Sequence, residues 1–333
     1  MRAPLLAGVL LLTTACATTH ARRIGERLPD DPHWPRAGGR TVRFVGELKT
    51  PEDLGIERTV WARLWAFLSG EPEASALSRP AAVAVSPQGR VAVADPGNRA
   101  VRLYDPARQA HVRITGLEWP SAVAFAGETL VVADAQAKTV RGYDGDGASV
   151  KLPFAVPAFQ RPVGLAWDEA GQRLFVVDAP AHQVVVLGGA APRVLGGRGD
   201  EAGHFNFPTF VAWASGRLYV ADSLNSRVQV FDRALSFERE FGGAGDTPGD
   251  LPRPRGLAVG PDGTVWVVEG AFDAVQGFSP EGELVALIGG AGTAAGRFWL
   301  PAGAAIDSQG RLYVADTWNA RVQVFALDEE GRR

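Results

Sequence analysis

The chain has 333 residues, 46% of them apolar and 21% charged, which is enough length and hydrophobicity to bury a large core in one or two domains. Its 40 glycines and 23 prolines are scattered between short apolar runs, which excludes disorder, collagen and coiled coil and favours an all-β chain of strands and tight turns. A formal charge of −3, from 34 basic and 37 acidic residues, leaves no electrostatic footprint for wrapping nucleic acid.

At the start, the apolar run Ala3 to Leu12 ends in Thr13, Thr14, Ala15 and Cys16. This segment resembles a bacterial lipoprotein signal. The run is too short to cross a hydrocarbon core of about 30 Å as a helix, so a processed leader at residues 1–15 is expected, with the lipid on Cys16. Cys16 is the only cysteine, and a folded part without thiols suits an oxidising compartment. The resemblance implies a cell-envelope protein, anchored to a membrane through acyl chains that bury at about 0.8 kcal/mol per CH₂. Ala17 follows the cysteine in place of the Asp that commonly marks retention at the inner membrane, so the outer membrane is expected. Residues 16–40, with Pro29, Pro32, Pro35, Gly38 and Gly39, read as a flexible tether.

Residues 49–78 read as a helical insertion. Ile56, Val60, Trp61, Leu64, Trp65 and Leu68 share one helical face, with Arg58, Thr59 and Arg63 outside it, which predicts an amphipathic helix that caps the domain or meets a partner or membrane surface.

Residues 79–327 hold six units, opened by Pro80, Pro120, Pro162, Pro208, Pro254 and Pro301. Spacings of that size point to propeller blades or a solenoid. Four positions after each proline stands an alanine: Ala84, Ala124, Ala166, Ala212, Ala258 and Ala305. A small residue in every copy is what a crowded axis requires, where radial sheets converge. A second strand ends in an acid at Asp95, Asp134, Asp178, Asp222, Glu269 and Asp316, and a third begins six residues later at Val101, Val140, Val184, Val228, Val275 and Val322. Fourth strands follow most units, at His111 to Gly116, Ala191 to Gly196, Phe237 to Gly242 and Glu283 to Gly289. The last three links share one glycine-rich spacing, from Gly196 to Pro208, Gly242 to Pro254 and Gly289 to Pro301. The sixth unit lacks its fourth strand, leaving residues 328–333 as a tail. Thr41 to Leu48 carries the fourth-strand pattern, so it is expected to pair with the C-terminal blade and close the ring, removing open edges.

Val220 to Asp222 with Asn225 to Phe231, and Val314 to Asp316 with Asn319 to Phe325, carry the fullest form of the unit. These residues resemble the NHL-repeat family of six-bladed β-propellers, over about residues 79–325. The resemblance implies an all-β propeller with four-stranded blades.

Chemistry is sparser. The six acids read as structural loop-closing acceptors repeated once per blade. Arg79, Arg161 and Arg253 precede the opening prolines of alternate blades, on the face that carries those acids, and forks to neighbouring carboxylates are one explanation. The other is an arginine-lined pocket for an anionic ligand, with His182, Arg255, Phe272 and Trp318 on the same face. The five histidines show no metal-ligand spacing, and no Gly-x-Ser-x-Gly elbow or free catalytic thiol is present, so no catalytic residue, metal or cofactor is expected. Asp144 to Gly147 reads as a turn, not a calcium loop, and Arg198 to Asp200 as part of an interblade link. The expected function is that of a lipid-anchored, non-catalytic binding or scaffold module for a protein or small-molecule partner. The alternative is a metal-dependent envelope enzyme of the lactonase or lyase propeller kind, although the His or Glu, Asn and Asp sets of those enzymes have no match here.

Overall fold

Each proline-led unit folds into one antiparallel sheet, arranged radially as six blades. The computed structural model describes residue 24 and residues 32–37, 41–57 and 76–328. Blade one runs Ala82–Val85, Val91–Asp95, Ala100–Asp105 and Ala110–Ile114. Blade four runs Pro208–Ala214, Arg217–Asp222, Arg227–Phe231 and Phe237–Gly242. The second strands, such as Val91–Asp95, are buried at every residue in blades one and five and at all but the first residue in the other four, because a neighbouring blade covers each face. Val42, Phe44, Trp266, Ile288, Phe298 and Phe325 fill one such wedge, between blades five and six.

A bulge at the mouth of the first strand recurs. Register shifts immediately after Pro120, Pro162, Pro208, Pro254 and Pro301. A bulge leaves a residue unpaired and re-aims it. In blades two to five the freed residue is the one after the proline and in blade six both Ala302 and Gly303 are freed, and all of these residues line one cavity on the axis. The six alanines expected at the crowded centre do line one opening of the axial channel together.

The glycine-rich links are clamped by glutamines. Gln229, Gln276 and Gln323 are fully buried in their third strands. Each Oε1 accepts from a link N–H, at Gly203, Gly249 and Gly296, over 2.8, 2.7 and 2.8 Å. Each Nε2 donates back to a link carbonyl, at His204, Asp250 and Arg297, over 2.6, 2.7 and 2.6 Å. Gly196 and Gly289, both at positive φ, lie where a Cβ would meet the rings of Phe205 and Phe298 at 2.3 and 2.4 Å.

Thr41–Leu48 lies beside Arg321–Asp328 in an antiparallel pair, from Thr41 opposite Asp328 to Leu48 opposite Val322. Arg321 Nη1 also meets Glu47 Oε2 at 2.9 Å. Part of the expected tether is not free: His33–Pro35 forms a further strand on Thr41–Arg43, giving this sheet five strands. The reason is local packing, since Trp34 meets Phe325 edge-on at 5.7 Å and Arg36 is buried beside Asp262 and Thr264. Of the expected amphipathic helix, Val60, Trp61, Leu64, Trp65 and Leu68 lie outside the described residues. The described part of the insertion holds a short 3-10 turn, Pro51–Leu54, and a buried Ile56, and no α-helix occurs among the described residues.

Candidate functional site

The end of the channel where the first strands begin carries the predicted site residues. Here the six acids are at most 2% exposed. Their carboxylates accept backbone N–H groups of the incoming links: Asp95 from Ser78 and Arg79, Asp134 from Glu118 and Trp119, Asp178 from Gln160 and Arg161. Asp222 accepts from Asn206, Glu269 from Arg253 and Ala271, and Asp316 from Trp299. Among the described residues the expected forks from Arg79, Arg161 and Arg253 are absent, because backbone amides of the same links already occupy the carboxylates. Asp222 and Asp316 do pair with guanidinium, but from Arg227 and Arg321 of their own blades, both at 2.8–2.9 Å.

The mouth is a cavity of about 290 Å³. The six residues that follow the opening prolines all line it: Ala81, Ser121, Val163, Thr209, Arg255 and Ala302. Arg161, Trp119, Phe207 and Phe210 complete most of the wall, and no Asp or Glu lines it. Ser121 Oγ donates to the Pro162 carbonyl at 2.7 Å and Thr209 Oγ1 to the Pro254 carbonyl at 3.0 Å, so both hydroxyl protons are spent within the wall. Arg255 makes no side-chain hydrogen bond or ion pair among the described residues. Burial, and then the like charge of Arg253, hold its pKa below the ordinary arginine value. Burial likewise raises Glu269 above the usual carboxylate range, against the N–H bonds from Ala271 and Arg253.

The other predicted residues are distributed around this opening. Arg79 lies over the Trp318 ring at 4.9 Å, and Trp318 stacks on Trp299 at 6.0 Å, with the two rings 48% and 50% exposed. His182 accepts the Phe207 N–H at Nδ1 over 3.2 Å and meets the Phe207 ring edge-on. Arg253 is exposed, and its backbone is tied to Glu269. Phe272 lines a separate cleft of about 170 Å³ with Pro248 and Leu287. Cys16 lies outside the described residues. Asp144 closes a turn, its Oδ1 accepting from Asp146 and Ala148. Sequence reasoning missed Trp119, Phe207, Ser121 and Thr209, which flank opening prolines as ordinary strand residues also do. Among the described residues no three His, Cys, Asp or Glu side chains gather as a metal set.

Residues 205–231 and 298–325 match the NHL repeat. The chain carries NHL repeats at these two places in a six-bladed β-propeller. RING finger protein nhl-1 of Caenorhabditis elegans is 42% identical over 66 residues, 20% of this chain and 7% of that protein, so the NHL chain spans only a small part of that relative. Among solved structures, a gluconolactonase from Xanthomonas campestris has a TM-score of 0.62 at 14% identity, covering 92% of this chain and 97% of its own. An auxiliary nutrient binding protein from Bacteroides thetaiotaomicron has a TM-score of 0.61 at 11% identity, over 76% of this chain and 70% of that one. A streptogramin B lyase has a TM-score of 0.56 at 13% identity, over 75% and 94%. At these identities the likeness is one of fold, and it spans both enzymes and a binding protein.

Proposed function

We propose that this NHL propeller is a non-catalytic binding module of the cell envelope, held at a membrane by a lipid on Cys16, that takes a small ligand in the axial mouth. One observation carries the reading: the mouth is open and lined by arginine and aromatic side chains with no Asp or Glu in its wall, while the six blade acids around it accept backbone N–H groups. A concave site with a few converging polar groups is where a ligand gains most from burial. The exposed Trp299 and Trp318 pair at the rim offers a further contact for a protein partner.

Native mass spectrometry of the protein purified from its own envelope tests this reading. A small non-covalent adduct is expected in the wild type and absent in a Trp119→Ala, Arg255→Ala double variant, and an adduct retained by that variant would place the ligand elsewhere. Cys16→Ser is expected to move the protein from the membrane to the soluble fraction, and continued membrane retention would refute the lipid anchor. The second reading, an envelope enzyme of the lactonase kind, is favoured by the length over which the gluconolactonase aligns. A stoichiometric calcium or zinc ion held tightly by the purified protein would support it.

A further inference from the structure

We infer that the axial mouth takes an organic carboxylate carrying a flat ring, with the carboxylate on Arg255 and Arg161 and the ring against Trp119 and Phe207. The inference rests on the reading of the mouth as the ligand site, and it names the ligand class.

Charge is the first argument. Two guanidinium groups line the cavity and no acid does, and neither side chain has a hydrogen-bond or ion-pair partner among the described residues. Arg161 is exposed, but Arg255 is drawn partly out of water without a partner, which is costly, so the lining is complementary to an anion. A planar fork of donors suits a carboxylate, which it can grip through two parallel bonds.

Blade five is shaped around Arg255. Its neighbours in the other five blades are Ala81, Ser121, Val163, Thr209 and Ala302, so a charged residue stands at this bulge in one blade alone. Two further departures accompany it. Where the other blades follow the acid with Pro96, Ala135, Ala179, Ser223 or Thr317, blade five has Gly270. A Cβ at Gly270 would fall 2.5 Å from Arg255 Cδ, so glycine there is what lets the arginine stem pass. The acid itself is Glu269 in place of Asp, and it still reaches the N–H groups of Arg253 and Ala271, at 3.0 and 2.8 Å. Two departures in one blade therefore accompany a single side chain, and Gly270 makes room for it.

Shape supplies the ring. In order around the mouth, successive blades present Trp119, Arg161, Phe207 and Arg255, so aromatic and cationic walls alternate. Trp119 and Phe207 remain 41% and 42% exposed, leaving π-faces for a ligand to cover. A volume of about 290 Å³ corresponds to roughly ten waters at their liquid share, so the occupant is small. Because no Asp or Glu lines the mouth, a neutral polyol finds no carboxylate to take its hydroxyl protons, whereas a carboxylate ligand meets two guanidinium groups.

The test uses two probes of one shape, indole-3-acetate and its neutral amide, indole-3-acetamide. Binding to the full chain is read by calorimetry, and its place by the Trp119 indole N–H signal, assigned through Trp119→Phe. The acetate is expected to move that signal and to bind roughly 10-fold or more tightly than the amide, as charge-assisted hydrogen bonds allow. Arg255→Gln with Arg161→Gln should erase the difference, while Arg255→Lys, which keeps the charge but loses the fork, should retain part of it. Equal binding of acid and amide at Trp119, or an acid preference that survives the double substitution, would overturn the inference and leave the mouth reading standing. If neither probe, nor benzoate and benzamide, moves the Trp119 signal, both fall together.

Discussion

Asp316 and Asp134 occupy equivalent places in different blades but hold different partners. Asp316 accepts the Trp299 N–H at 2.8 Å and also Asn319, Arg321 and Gln323 side chains at 2.8, 2.8 and 3.0 Å. Asp134 accepts backbone N–H groups alone, from Glu118, Trp119 and Ala137. Asp316→Asn would turn an amide toward a buried guanidinium and should cost about 3–5 kcal/mol, whereas Asp134→Asn can keep one oxygen toward the Trp119 and Ala137 N–H donors and should cost about 1–3 kcal/mol. Urea unfolding of the two variants checks the difference. Glu269 behaves in the opposite sense with pH. Its folded pKa is raised by burial, so the native state holds the proton more tightly than the unfolded chain does. The stability this confers is present below the ordinary glutamate value and is lost as pH rises through the raised one. Wild type measured against Glu269→Gln should therefore lose relative stability over that window and then level off, because a glutamine Oε1 can still accept from Arg253 and Ala271.

At the scale of the element, what repeats in every blade was legible. The opening proline, the alanine four residues on, the acid and the valine each answer a constraint imposed once per blade, so their spacing betrays the strands. Features held by only half the blades were harder to read. The glycine-rich links and the buried glutamines occur together in blades four, five and six, but a glutamine inside Val-Gln-Val looks like any polar residue on a strand until the link folds over it. Gln276→Leu should leave the Gly249 N–H and the Asp250 carbonyl without partners, at about 1–3 kcal/mol each. Faster hydrogen exchange at the Gly249 amide, measured beside the unaltered links, would show it. Other features had no sequence signal. The residue four after each acid is left-handed in all six blades, at Arg99, Lys138, His182, Ser226, Asp273 and Ala320, yet its identity varies because the turn before it, 3-10 in four of the blades, and the strand after it impose the conformation. Within the candidate site, Arg161 and Arg255 were legible as cations on one face. Trp119 and Phe207 were not, since an aromatic residue beside a proline reads as strand packing until the bulge turns its neighbour to the axis.

The whole molecule shows an alternation that single blades hide. Hydroxyls tie every second seam: Ser121 to the Pro162 carbonyl, Thr209 to that of Pro254 and Thr317 to that of Pro80, at 2.7, 3.0 and 2.8 Å. The carbonyls so tied belong to the three blades that open with Arg-Pro, at Arg79, Arg161 and Arg253, while the intervening blades open with Trp119, Phe207 and Leu300. The ring therefore has the rhythm of three blade pairs, and its mouth inherits the alternation of cation and apolar side chain. Removing Thr41 to Leu48 should bare the ladder of Arg321–Asp328 and leave Arg321 without Glu47. Loss of solubility or of a single cooperative melting transition is expected, and an unchanged melting curve would show that the pairing contributes nothing.

Arg321 and Glu47 are 274 residues apart in the chain. Since a ribosome delivers the amino end first, Thr41 to Leu48 must wait, unclaimed, until Arg321–Asp328 has been made. A product halted early keeps both its own bare strand and a gap where blade six belongs, and such exposed main chain is what chaperones and proteases engage. The seam thus closes only after the third strand of blade six has been made, so the first blade-forming strand is the last to be covered.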